Sequence, residues 1–141
     1  MGSVRVRDIM QEKVVTIGEA DSLSTAEDIM RLGGVRHMPV VHGGKLVGVV
    51  SERDLLRISL SELNARASEE RRAFLHVLEV GRAMSTPPVV VDPSATIEEA
   101  ARLLAEHKIG CLPVVEGEDL VGLLTGTDVL LYFSGSFPGR R

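Results

Sequence analysis

Twice in this chain a hydroxyl residue stands three positions before an aspartate, at the end of an apolar run. The two stretches are Gly48-Val49-Val50-Ser51-Glu52-Arg53-Asp54 and Gly122-Leu123-Leu124-Thr125-Gly126-Thr127-Asp128. Two kinds of chemistry suit that spacing. At the start of a helix, hydroxyl and carboxylate can each accept a hydrogen bond from the other residue's backbone N–H, which is a capping arrangement. The same pair, projecting beside a helix N-terminus, offers a carboxylate that can accept two hydrogen bonds from the vicinal hydroxyls of a sugar, with the Ser or Thr hydroxyl as a third contact. Ribose suits that geometry, and the upstream glycine removes a side chain where a flat base could approach the backbone. Capping alone and sugar recognition both remain open at this point.

Other candidate groups lie just ahead of two strand prolines. Arg36 and His37 precede Pro39, and offer a permanent forked cation and a titratable donor. Gly110 and Cys111 precede Pro113 and offer no side-chain cation. Cys111 is the only cysteine, so an internal disulfide and a cysteine-based zinc site are excluded; a small buried hydrophobe in a reducing, cytoplasmic setting is expected. His42 and His76 have no companions at metal-ligand spacing, and Arg71-Arg72 reads as a solvated face. No paired nucleophile and base, no converging carboxylates and no Gly-x-x-x-x-Gly-Lys-[Ser/Thr] phosphate loop is present. The chain reads as a non-enzyme, with no metal and no required cofactor.

The elements that must position these groups repeat. Met10 to Leu56 recurs as Met84 to Leu130 without an insertion, at a constant offset of 74 residues. Each copy opens with an apolar run, Val14-Val15-Thr16-Ile17 or Pro88-Val89-Val90-Val91, expected to be a buried strand. A helix follows, with Leu23, Ala26, Ile29 and Met30 on one face in the first copy and Ile97, Ala100, Leu103 and Leu104 in the second. Thr96 and Glu99 form a capping box at the start of the second of these helices. Two strands flanking His42-Gly43-Gly44-Lys45 or Glu116-Gly117-Glu118-Asp119 make a hairpin, and a last helix starts at Ser51 or Thr125. The expected fold is therefore α/β (α+β), two tandem β-α-β-β-α repeats packed about a pseudo-twofold axis as one module. Val40, Val41, Val47, Val49, Val114, Val115, Val121 and Leu123 are the expected central core. The organisation expected is a first repeat at 1–60, a helical linker at 61–79, a second repeat at 80–133 and a flexible tail at 134–141. Within the linker region Leu60, Leu63, Ala67, Phe74 and Val77 lie near heptad spacing, either packed on the module or open to a partner.

At 141 residues the chain is one ordinary domain's worth, and its two copies need a shared core. A net charge of −4 argues against nucleic-acid binding. No apolar stretch reaches the length of a signal peptide core or a membrane span, so a soluble protein without direct membrane insertion is expected.

The duplicated order of x-x-Pro-Val-Val strand, hairpin and Gly-h-h-[Ser/Thr]-x-x-Asp, where h is apolar, resembles the cystathionine-β-synthase (CBS) domain pair, or Bateman module, over nearly the whole chain. The lead-ins Val6-Arg7-Asp8-Ile9-Met10 and Val80-Gly81-Arg82-Ala83-Met84 are also similar to the segment that opens each repeat in that family. The resemblance implies a regulatory module that binds adenosine-containing ligands such as AMP, ADP, ATP or S-adenosylmethionine in composite clefts. Carried over residue by residue, it groups Thr125 and Asp128 on the ribose with Val15, Thr16 and Ile17 along the base and Arg36 and His37, ahead of Pro39, toward the phosphates. This is the expected preferred cleft. The second would comprise Ser51 and Asp54 with Val89, Val90 and Val91, and Gly110 and Cys111 ahead of Pro113, with Arg53 as a compensating cation. The resemblance further implies a homodimer that passes its signal to an unknown downstream protein. The competing reading is a dimerisation or protein-interaction scaffold with vestigial clefts.

Overall fold

The computed structural model describes residues 4–63 and 68–136. Its contacts divide the chain into two compact units. One comprises Val15–Pro87 and the other joins the residues up to Val14 with those from Pro88 onward. The lead-in before each repeat thus belongs to the unit built around the other repeat. Val6, Ile9 and Met10 are buried in the core that contains the second hairpin, and Val80 in the core that contains the first.

The unit Val15–Pro87 contains strand β1 (Ile17–Gly18), helix α2 (Leu23–Gly33), strands β2 (His37–His42) and β3 (Lys45–Ser51), and helices α3 (Glu52–Leu63) and α4 (Ser68–Val77). The other contains helix α1 (Val6–Ile9), helix α5 (Ile97–His107), strands β4 (Cys111–Glu116) and β5 (Asp119–Thr125), and helix α6 (Gly126–Ser134). Helix α2 begins where the Ser22 hydroxyl accepts from the Thr25 amide and ends at Gly34 in the left-handed region, φ 66°. Helix α5 begins at the expected Thr96–Glu99 capping box.

The hairpins form as expected, β2 antiparallel to β3 and β4 antiparallel to β5, with matching registers. The opening strands do not form over their expected lengths. In the first repeat only Ile17–Gly18 pairs, parallel to Val40 and Val41, while Val15 and Thr16 are exposed. In the second, Val91 makes a single bridge to Val114. Pro87, Pro88 and Pro93 around that segment lack the N–H groups a longer ladder needs.

The core also differs in which strand face it uses. Met38, Val40 and Val50 are buried in one unit, and Leu112, Val114, Leu123 and Leu124 in the other. Val41, Val47, Val49, Val115 and Val121 are half-buried, not central. Side chains alternate across a strand, and the register slips between Val40 and Val41 and again between Val114 and Val115. The expected set mixed two faces.

In the inter-repeat segment Leu75 is fully buried and Phe74 packs against the same core, whereas Leu60 and Val77 face outward. Leu63 and Ala67 fall among residues 61–68, whose side chains lie outside those described. Arg71 and Arg72 are not a solvated face. Arg71 pairs with Glu27, and Arg72 spans Glu27 at 2.9 Å and Asp28 at 2.7 Å, tying α4 to α2. At the chain's end the helix continues through Ser134 and closes at Gly135, φ 78°; residues 137–141 lie outside those described.

Candidate functional site

Each Ser/Thr–Asp pair sits at the junction where the second hairpin strand runs into its helix. In the Val15–Pro87 unit, Asp54 Oδ2 accepts from the Ser51 amide at 2.8 Å and from the Ser51 hydroxyl at 2.9 Å. The Ser51 hydroxyl oxygen in turn accepts from the Asp54 amide at 3.1 Å. In the other unit, Asp128 Oδ2 accepts from the Thr125 amide at 3.0 Å, and Thr125 Oγ1 accepts from the Asp128 amide at 3.1 Å. The capping chemistry read from the spacing is therefore present in both copies, and it fixes each carboxylate beside a helix N-terminus.

The cross-strand register brings further expected site residues to the same place. His37 lies opposite Ser51, and the Arg36 carbonyl accepts from the Glu52 amide at 2.9 Å. Because β1 runs parallel to β2 with Ile17 beside Val40, the chain at Val15 and Thr16 approaches along the start of β2. The register thus gathers Arg36, His37, Ser51, Arg53 and Asp54 at one end of the β2–β3 hairpin, with exposed Val15 and Thr16 in the chain just ahead of β1. The other unit repeats the plan. Cys111 lies opposite Thr125, the Gly110 carbonyl accepts from the Gly126 amide at 2.9 Å, and Val91 bridges to Val114. Pro39 and Pro113 are buried in the strands that carry these corners. Within a unit, then, the Arg36 guanidinium and the His37 imidazole accompany Ser51 and Asp54, while Gly110 and Cys111 accompany Thr125 and Asp128.

The two corners differ in their electrostatics. Burial is the leading influence on His37 and pushes its imidazole below the ordinary histidine range; Arg36 and Arg53 add to this and Asp54 opposes it. His37 is therefore neutral near pH 7 and offers one N–H donor and one acceptor, while Arg36 and Arg53, both exposed, carry the fixed charge.

Two residues that the sequence reading did not single out complete the corners. Arg57, one turn along α3, approaches Asp54 Oδ1 at 3.4 Å. Gln11, from the lead-in, donates its side-chain amide to Asp128 Oδ2 at 3.2 Å. The repeat offset carried a signal for both, since Arg57 aligns with Leu131 and Gln11 with Ser85. These add to the differences already made by Arg36, His37 and Arg53, whose counterparts are Gly110, Cys111 and Thr127.

The upstream glycines have a role other than the one expected. A Cβ on Gly48 would stand 2.7 Å from the Ser85 carbonyl oxygen and 2.8 Å from Met84 Sδ. One on Gly122 would stand 2.5 Å from Met10 Sδ. The space that glycine opens is filled by the lead-in methionine, not left for a base.

Among the described residues no group of three or more His, Cys, Asp or Glu could hold a metal ion. Nor is any described helix long and apolar enough to cross a membrane.

The CBS domain family matches the chain twice, at residues 6–61 and 79–135, and the chain belongs to that family as a tandem pair. It is 32% identical to the CBS domain-containing protein YhcV of Bacillus subtilis, over 88% of this chain and 81% of that one. It is 34% identical to an inosine-5'-monophosphate dehydrogenase of Korarchaeum cryptofilum, matching 96% of this chain but spanning only about a quarter (26%) of that enzyme. Among solved structures, the CBS-pair protein CBSX2 of Arabidopsis thaliana superposes with a TM-score of 0.81 at 30% identity, covering 95% of this chain and 96% of that one. A CBSX2 complex with AMP superposes with a TM-score of 0.76 at 32% identity, covering 95% and 98%.

Proposed function

We propose that the protein is a regulatory module that binds an adenosine-containing ligand at its Ser/Thr–Asp corners and conveys occupancy to a partner protein, without turnover of its own. The observation that carries this reading is the duplicated corner. In each unit a carboxylate is held beside a helix N-terminus, a placement that suits acceptance of hydrogen bonds from a sugar diol. In the Val15–Pro87 unit, exposed Val15 and Thr16 lie just ahead of β1, offering surface for a base, and Arg36 and Arg53 offer charge for phosphate. The CBSX2 complex with AMP, a family member of nearly the same length, supports an adenine nucleotide as the ligand. The exposed apolar residues Leu56 and Leu130 occupy equivalent repeat positions, and with them we include a homodimer in the proposal.

The test is a thermal-shift panel of AMP, ADP, ATP, S-adenosylmethionine, NADH and GTP. A ligand that binds only the folded state raises the apparent stability in proportion to the logarithm of its concentration over its dissociation constant. A rise with one or more adenosine ligands and none with GTP supports the sensor; no rise with any of them at millimolar concentration rejects it.

A second reading has its own observation. Asp54 and Asp128 are only 9% and 1% exposed and already accept hydrogen bonds within the chain. That favours a scaffold whose corners serve only as caps. A stable dimer that ignores the whole panel would select it.

A further inference from the structure

Asp128 is the more deeply buried of the two acids, 1% exposed, and Gln11 reaches it from the lead-in. The Gln11 backbone is locked to β5 by two hydrogen bonds of 2.9 Å, its amide to the Leu123 carbonyl and the Leu123 amide to its own carbonyl. From that anchor its side-chain Nε2 donates to Asp128 Oδ2 at 3.2 Å, the oxygen that also accepts from the Thr125 amide. The equivalent residue in the other unit, Ser85, makes the same backbone bridge to Val49. Its side chain is too short to follow. There the acid is approached by Arg57 from its own helix, on the opposite oxygen.

We propose that Gln11 is a specificity-determining latch on the Thr125–Asp128 corner. Its carboxamide N–H occupies an acceptor position that a sugar hydroxyl of the ligand must take. A carboxamide N–H and a hydroxyl O–H are both single donors to a carboxylate oxygen, so they compete for the same lone pairs. The backbone bridge holds the Gln11 Cα in place, and rotation about the side-chain bonds is enough to open the corner. Ligand binding here therefore costs the Gln11–Asp128 hydrogen bond, whereas the Ser51–Asp54 corner has no latch from its lead-in. The two corners then differ in affinity for any ligand with a vicinal diol, in a way that residues of the first hairpin do not determine. The inference rests on the adenosine-binding reading above.

The experiment is calorimetric titration of AMP, adenosine and 2',3'-dideoxyadenosine in an Asp54→Asn background, which keeps an acceptor at the cap but weakens the other corner. Gln11→Ser, which installs the residue the other repeat carries, and Gln11→Ala are each compared with that background. Both should bind AMP and adenosine about tenfold more tightly, the scale of one hydrogen bond to a charged group. The dideoxy compound should show no gain, because it lacks the hydroxyls that compete. Unchanged or weaker AMP binding in both variants overturns the latch while leaving the sensor intact, as does an equal gain for the dideoxy compound. If neither the unaltered protein nor any variant binds AMP or adenosine, the sensor reading falls and the latch with it. Thermal midpoints within a few degrees of the background show that the folded state is being compared.

Discussion

Met10 packs directly over Gly122, and the same contact recurs 74 residues along the chain between Met84 and Gly48. The glycine of the Gly-h-h-[Ser/Thr]-x-x-Asp run is thus a packing requirement of the lead-in segment. Alanine at either position forces a neighbour to move. At Gly122 the first atom met is a methionine sulfur, which can rotate aside, with the Gln11 carbonyl oxygen at 3.0 Å behind it; at Gly48 it is the backbone oxygen of Ser85 at 2.7 Å. Both substitutions should destabilise by about 1–3 kcal/mol, the usual cost of overpacking, with Gly48→Ala the worse of the two. Urea unfolding midpoints decide it, and equal stability of Gly48→Ala and the unaltered protein would remove the packing role.

Asp54 is both cap and candidate ligand contact, and two measurements separate the roles. Asp54→Ala should lower the unfolding free energy by about 1 kcal/mol through loss of the cap. It should also weaken an adenosine ligand by roughly ten- to a hundred-and-fifty-fold through loss of charge-assisted hydrogen bonds worth about 1.5–3 kcal/mol. Asp54→Asn, which retains an acceptor for the backbone, should recover most of the stability but little of the affinity. Full affinity in Asp54→Ala would assign the residue to capping alone.

Arg36 tests where a phosphate is held. It is exposed at the start of the strand that carries His37 opposite Ser51, and among the described residues no acidic group pairs with it. Arg36→Ala should therefore weaken AMP and ATP by several-fold to tenfold, the value of one exposed charge-assisted contact, and leave adenosine nearly unchanged. A loss of equal size for adenosine and AMP would place the phosphate elsewhere.

These residues show what the sequence could and could not disclose. The hairpins, the α5 capping box and the Ser/Thr–Asp corners were legible because each depends on residues a few positions apart, whose geometry is local. Arg36 and His37 lie beside Ser51 because the hairpin register fixes them, a neighbourhood that the grouping of Arg36 and His37 with Thr125 and Asp128 did not include. The two-residue β1 was not legible, since an apolar run of four does not reveal whether it finds a full ladder or only Val40 and Val41. Nor was the exchange of lead-ins. Gln11 reaches Asp128 across 117 positions, and only the odd residue at an otherwise repeated position hinted at it. The sequence places Arg72 on a solvated face because charge runs are usually solvated, yet α2 supplies Glu27 and Asp28 from 45 and 44 positions away.

That ion cluster gives an acid-side prediction. Burial raises the Glu27 carboxyl, but hydrogen bonds and charge from Arg71 and Arg72 more than reverse this, so it titrates below the ordinary glutamate range in the folded chain. A carboxyl with a depressed folded value contributes stability that is fully present above its unfolded value, about 4.3, and is lost as pH falls through the folded one. Stability should therefore fall as the solution is acidified below about pH 4.3, and Arg72→Ala should make that decline shallower while lowering stability at neutral pH. A decline of unchanged steepness in Arg72→Ala would show that the cluster does not couple to folding.

His37 gives the opposite case, a base whose folded value is lowered mainly by burial, with Arg36 and Arg53 acting in the same direction against Asp54. The unfolded chain takes up a proton near the ordinary value of about 6.5, while the folded chain resists until a lower pH. Between those two values the unfolded state binds more protons, so stability is fully present above about pH 6.5 and declines as pH falls toward the folded value. Below the folded value the decline from this group stops. His37→Gln, which keeps a donor and an acceptor but cannot take the proton, should remove the part of the pH dependence that lies between the two. Proton NMR of the imidazole should place its midpoint below the ordinary histidine value of about 6.5. Bound nucleotide should raise that midpoint, because a phosphate near His37 favours its charged form. A His37 midpoint at or above about 6.5 in the free protein would mean that the imidazole is hydrated and does not sense the corner.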